Sequence, residues 1–267
     1  MGGHEQCAGQ TSASPRPARI RKPTPYRLPD PGLELQLADR LGVEFLNPLL
    51  LRQALTHRSV LHDWLPLEDV LAILQSNERL EFLGDAILGA ITAEYLYNRD
   101  GDADEGQLTR RRVAAVRAET LVRWSRELGV HECLYLGTGE HVSQGARDRM
   151  LAGAFEALVG AIHLDQGRDA ADRFVLGFLE RDLDEIFRQE SVANPKGRLQ
   201  EVVQEQDHIE PEYETIATEG PDHAREFTVV VKVRDALLGE GQGRSKRVAE
   251  QEAARAALAQ LGVVDSP

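Results

Sequence analysis

Three acids recur at i, i+3 and i+7 in the segment NERLEFLGDAILG, namely Glu78, Glu81 and Asp85. On a helix that spacing puts them on one face, where like charges repel by roughly a few tenths of a kcal/mol per pair. Phe82, Leu83, Ala86, Ile87 and Leu88 surround them, so the helix reads as apolar nearly all round. Glu156 is sharper still, being the sole acid in MLAGAFEALVGAIHL, a run that otherwise reads as a buried helix. An isolated buried carboxylate costs several kcal/mol unless it is paired, protonated or bound to metal. Two readings follow: a structural pair with Arg58 or Arg112, or a hard cation such as Mg²⁺ held by carboxylates from two helices. The second would supply charge stabilisation at a phosphodiester and an activated water. Glu105 sits in GDADEG with Asp102 and Asp104, which reads as a turn and helix start beside the positive end of the next helix. None of the eight His shows a paired ligand spacing, and His57 and His163 read as packed or surface residues.

A second cluster is cationic. Arg244, Lys246 and Arg247 flank Ser245, a candidate N-cap, at the start of the closing helix SKRVAEQEAARAALAQLG. Cations there oppose the helix dipole and cost stability unless an anion arrives. A phosphate would be held by the backbone N–H groups and the cations together.

These residues need elements to position them. Residues 34–188 are helical in pattern almost throughout, with apolar positions at i, i+3, i+4 and i+7 in LNPLLLRQALTHRSV, NERLEFLGDAILGAITAEYLYNR, EGQLTRRRVAAVRAETLVRWSREL and RDRMLAGAFEALVGAIHLDQG. Residues 62–76 read as an inserted loop with one short amphipathic helix. QESVANP, within 189–195, reads as a linker. Residues 196–263 then change texture: a short helix, strand candidates PEYETIATEG and REFTVVVKVRD, the segment ALLGEGQG and the closing helix. The fold class expected is therefore an all-α domain followed by a small α+β domain of order α-β-β-β-α. Residues 1–33, Pro-rich and basic through Arg16, Arg19, Arg21, Lys22 and Arg27, read as a disordered tail.

Composition bounds the rest. The 267 residues carry a net charge of −13, which taken alone argues against a nucleic-acid partner. No apolar run is long enough to cross a bilayer, and the first residues lack the apolar core of a secretory signal. Cys7 and Cys133 match no metal or redox spacing, which points to a reducing cytoplasm.

At NERLEFLGDAILG the chain closely resembles the signature of the ribonuclease III family of double-stranded-RNA endonucleases. ALTHRSV precedes it in the same order, and DEGQLTRRR, ECLYLGTGE and FEALVGAIHLDQG follow. PKGRLQE, GPDHAREFTVVV and GRSKRVAEQEAA resemble a double-stranded-RNA-binding domain. The resemblance implies an all-helical endonuclease domain that forms a symmetric homodimer, requires Mg²⁺ (Mn²⁺ as a substitute) and leaves 5′-phosphates with short 3′ overhangs. It implies work in the processing of ribosomal, messenger and transfer RNA precursors. Carried over by position, Asp85 and Glu156 match catalytic acids, and Glu81 joins them as metal ligands. Glu78 and Glu105 match acids lining the cleavage valley, and Phe82 matches a dimer contact. In the second domain Gln200 and Glu201 match residues that reach one minor groove, and His223 matches one entering the next. Lys246 and Arg247 match cations that span the major-groove phosphates.

One position departs from the family. Three residues before Glu156 the family usually places an Asp, and here stands Gly153. Three readings follow: water or a neighbouring acid completes the coordination and cleavage survives; the protein binds duplex RNA without cutting it; or the glycine was introduced to silence the site.

Overall fold

The computed structural model describes residues 29–64, 75–137, 143–207, 209–221 and 224–263. Helix α1 (Pro31–Leu41) is capped by Asp30, whose side chain accepts from the backbone N–H of Gly32 and Leu33. It therefore starts within the stretch expected as tail. Helices α2 (Pro48–Ala54) and α3 (Arg58–Trp64) follow. Periodicity reads these as one helix, and the structure breaks it at residues 55–57. Thr56 Oγ1 bonds back to the Arg52 carbonyl at 2.7 Å, while the Thr56 carbonyl accepts from Asn77 N–H at 2.9 Å. Tyr135 completes the break by donating its N–H to Leu55 O and accepting from His57 N–H. The expected short helix in residues 62–76 falls largely outside the described residues.

Helix α4 (Glu78–Arg99) buries Leu80, Gly84, Ile87, Leu88, Ile91, Thr92 and Leu96. It is thus one-faced, contrary to the all-round apolar pattern: Phe82 is 80 % exposed, and Asp85 and Ala86 also face solvent. A capping box between Asp104 and Gln107 starts α5 (Glu105–Ala115). Helices α6 (Ala118–Glu127) and α7 (Val130–Cys133) lead to α8 (Gln144–Gln166) and α9 (Arg168–Ala193). Trp124, Phe155, Phe174 and Phe178 cluster where α6, α8 and α9 meet, with ring centroids 5.1–5.6 Å apart. Helix α8 is the central element, buried along nearly its whole length from Leu151 to Ile162.

The crossing of α4 over α8 is made possible by glycines. A Cβ on Gly84 would overlap the Glu156 carbonyl, and one on Gly160 would overlap the Leu80 carbonyl. Each helix thus lays a bare Cα against the other's backbone, one turn along from a partner that does the same.

Residues 189–193, expected as linker, instead form the last turns of α9, and α10 (Pro195–Asp207) starts directly after Asn194. The sheet that follows is antiparallel in the order β1 (Glu212–Glu219), β2 (Glu226–Val233), β3 (Ala236–Gly243), and α11 (Lys246–Gln260) packs on it. Arg234 and Asp235, both at positive φ, form the two-residue turn between β2 and β3. Gly239, Gly241 and Gly243 alternate along β3, and a Cβ on any of them would collide with α11. The helix answers with Ala249, Ala253 and Ala257, all fully buried. This is the α-β-β-β-α order expected.

Gly84→Ala should lower thermal stability by about 2 kcal/mol or more, because the clash is with backbone. Gly89→Ala, in the same helix with open space around it, should raise stability by up to about 1 kcal/mol. Thermal unfolding of the two variants side by side checks both directions.

Candidate active site and RNA-binding surface

The α4–α8 crossing decides where the acids stand. Gly84 lies against the Glu156 backbone, so its chain neighbours Asp85 and, one turn back, Glu81 come up beside the Glu156 side chain. Glu156 is the one position between Leu151 and Ile162 that is not fully buried, which opens an edge of an otherwise sealed helix. Its carboxyl is pushed up to about 7, chiefly by burial and further by repulsion from Asp85 and Glu81. Glu81, also half-buried, is raised by burial and by repulsion from Glu78 and Asp85. Three acids on two facing helices therefore sense one another.

The structural pairing considered for Glu156 does not form. Arg58 instead pairs with Glu78 at 3.4 Å, and Glu78 also accepts from Ser76 Oγ at 3.0 Å. Arg112 is exposed, and among the described residues neither Glu156 nor Asp85 has a cationic partner. The described residues contain no ready-made set of three or more His, Cys, Asp or Glu that could hold a metal ion. As a donor set, carboxylate oxygens from two facing helices, with no Arg or Lys paired to Asp85 or Glu156 among the described residues, fit a hard divalent ion, which fills its remaining positions with water.

Glu105 lies apart, exposed in the first turn of α5 and accepting from Thr109 Oγ1 at 3.3 Å. Gly153 proves to be closely faced by Glu81: a Cβ there would stand 2.7 Å from Glu81 Cδ. Neither this contact nor the Gly84–Gly160 crossing is evident from residue spacing. The signal available was that glycine inside a helix, costing about 1 kcal/mol, asks for a packing reason.

In the second domain Lys246 and Arg247 are exposed at the start of α11, behind Ser245, which accepts from Val248 N–H at 3.3 Å. Arg244 is exposed beside them. Gln200 is half-buried on α10. Glu201 is only 17 % exposed, between Arg198 at 3.4 Å and Arg110 of α5 at 3.6 Å. Sequence reasoning missed Arg110 and Arg198. His223 lies outside the described residues.

A helical domain with an acidic edge, continued by a sheet-and-helix domain with a basic corner, defines a two-part protein built to handle a polyanion. Residues 47–183 match the family model described as ribonuclease-III-like, and residues 195–261 match the double-stranded RNA binding motif. Ribonuclease 3 of Symbiobacterium thermophilum is 45 % identical over 230 residues, covering 86 % of this chain and 94 % of that one. Ribonuclease 3 of Pelotomaculum thermopropionicum is 42 % identical over 224 residues, covering 83 % and 90 % respectively. Among solved structures, the nuclease domain of ribonuclease III from Campylobacter jejuni matches with a TM-score of 0.47 at 32 % identity, over 55 % of this chain and 95 % of that one. The chain belongs to the ribonuclease III family. No helix among the described residues is long and apolar enough to cross a membrane.

Because the folded Glu156 carboxyl holds its proton up to about 7, it binds more protons than in the unfolded chain between the ordinary carboxylate value and that point. Its contribution to the metal-free protein is thus least unfavourable at low pH, and stability falls as pH rises through that window before levelling. Glu156→Gln should flatten the fall, and the difference between wild type and variant in urea midpoints from pH 5 to 8 measures it.

Proposed function

We propose that this protein is a Mg²⁺-dependent endoribonuclease that cuts double-stranded RNA, leaving 5′-phosphate ends and short 3′ overhangs. The observation that carries the reading is a set of repelling carboxylates, Glu81, Asp85 and Glu156, with no cation beside Asp85 or Glu156 among the described residues, in the same chain as a double-stranded RNA binding motif. When bound, Mg²⁺ (or Mn²⁺) supplies Lewis acidity at the phosphodiester. Asp85 and Glu156 would hold the ion from opposite helices, with Glu81 as the third donor. Glu156 would give up its proton to do so, so ion uptake should favour neutral and higher pH. Glu78 and Glu105 line the path of the RNA at the rim.

The second domain selects the substrate class by shape. A-form RNA presents two minor grooves separated by a phosphate-lined major groove. Gln200, Glu201 and His223 serve the minor grooves, and Lys246 with Arg247 serves the phosphates between them. Glu201 is paired with Arg110 and Arg198 in this structure, and that role would require it to leave them. Exposed Phe82 is the anchor of a homodimer contact, so that one site acts on each strand. Structured precursors of ribosomal, messenger and transfer RNA in the cytoplasm are substrates of this shape.

A labelled RNA duplex titrated with Mg²⁺ tests the reading: wild type should cut it, and Asp85→Asn should bind without cutting. Intact duplex at every Mg²⁺ concentration, with binding retained, would make wild type a binding protein instead. Replacing Lys246 and Arg247 together by Ala should weaken duplex binding and reduce the slope of log affinity against log salt by about two. An unchanged slope would remove the basic corner from the interface.

A further inference from the structure

Where α5 of the nuclease domain meets α9 and α10, a cleft of about 630 Å³ opens at the junction of the two domains. Its charge is one-sided: five arginines line it against two glutamates, in a chain whose net charge is −13. Arg111 is taken by Asp100 at 2.8 Å, Arg117 by Glu190 and Arg188 by Glu185. Among the described residues Arg110 and Arg198 share one carboxylate, that of Glu201, 3.6 Å from Arg110 Nε and 3.4 Å from a terminal nitrogen of Arg198. The first distance is too long for a hydrogen bond, and Arg110 Nε is buried without an acceptor, as is Arg117 Nε. Buried donors without acceptors cost free energy, and two guanidinium groups facing one carboxylate have donors to spare. The lining is otherwise apolar at Val113, Ala114 and Phe187.

We propose that this cleft binds a small phosphomonoester with a flat apolar body, a nucleoside 5′-monophosphate being a ligand of that chemistry and size. Its phosphate takes the place of the Glu201 carboxylate between Arg110 and Arg198, bringing more oxygens and more charge to two planar donor forks. Its base lies against Val113, Ala114 and Phe187. The volume falls within the range of small-molecule sites, roughly 300–1,000 Å³, and exceeds what a bare phosphate ion fills. Ligand and Glu201 thus compete for the same two arginines, and occupancy frees Glu201. That consequence alone rests on the minor-groove reading of Glu201 above.

Calorimetric titration of the full chain with AMP, without divalent metal so that the acidic edge takes no part, reads the site directly. One AMP should bind per chain, inorganic phosphate should bind more weakly, and adenosine should not bind. Arg110→Gln and Arg198→Gln should each weaken AMP binding about tenfold. Glu201→Gln, which removes the competing carboxylate, should tighten it several-fold, a gain that a misfolded variant could not give. The charge-matched Glu226→Gln on β2 should leave it unchanged, as should replacing Lys246 and Arg247 together by Ala. The proposal is overturned by wild type that binds no AMP, by equal responses to Glu201→Gln and Glu226→Gln, or by wild-type affinity in Arg110→Gln and Arg198→Gln. Loss of AMP binding in the Lys246 and Arg247 variant would also overturn it, by placing the ligand on the basic corner. Arg110→Gln that weakens duplex binding, in a protein that takes up no AMP, would assign the cleft to RNA phosphates instead. Duplex cleavage by wild type without AMP tests the proposed function on its own, so the two readings fail separately.

Discussion

The structure depends on one close approach, the crossing of α4 and α8 through Gly84 and Gly160. Helix axes ordinarily stand about 8–10 Å apart, at a distance set by the side chains between them. Where the contact residues are glycine, backbone meets backbone, and each helix's Cα atoms rest on the other's carbonyls. That contact is stiff, because it offers no rotamer through which a misfit can relax. It also fixes the relative height of the two helices, and with it which acids of α4 stand beside Glu156.

The electrostatic cost follows from the packing. Burial raises the proton affinity of both glutamates, and repulsion adds to it: from Asp85 and Glu81 at Glu156, and from Glu78 and Asp85 at Glu81. The aromatic cluster of Trp124, Phe155, Phe174 and Phe178 stands next to Glu156 in sequence through Phe155, and Trp124 also donates its indole N–H to Asp182 at 2.7 Å. The core around α8 thereby offsets the destabilisation that the acidic edge imposes. Stability and site draw on the same helix, with one residue's difference between a core position and a functional one.

Much of this was legible in the sequence. Glu81 and Asp85, four apart, and Glu156, alone in an apolar run, carried their own signal because charge in such places is costly. The sheet-bearing domain was legible through the alternation of REFTVVVKV and the grouping of strands between helices. What escaped were features decided by contacts distant along the chain. Thr56 ends a helix because Tyr135 and Asn77 take its neighbourhood's backbone groups, and nothing in LNPLLLRQALTHRSV announces them. Residues 189–193 continue α9 although their apolar content had faded, since helix-forming side chains suffice to extend an established helix. The site of Glu201 between Arg110 and Arg198, and that of Glu81 over Gly153, required two segments to be seen at once.

The glycine-to-alanine contact between β3 and α11 has a consequence for how rigidly the second domain carries its basic corner. With Gly239, Gly241 and Gly243 beneath Ala249, Ala253 and Ala257, the helix lies directly on the sheet and has no compressible layer under it. Lys246 and Arg247 are carried at the end of that helix, so their distance from the sheet is set by van der Waals contact. The basic corner is therefore held at a fixed height above the sheet. If Lys246 and Arg247 grip phosphates as proposed, a duplex whose groove spacing differs from that fixed height would have to deform to be held.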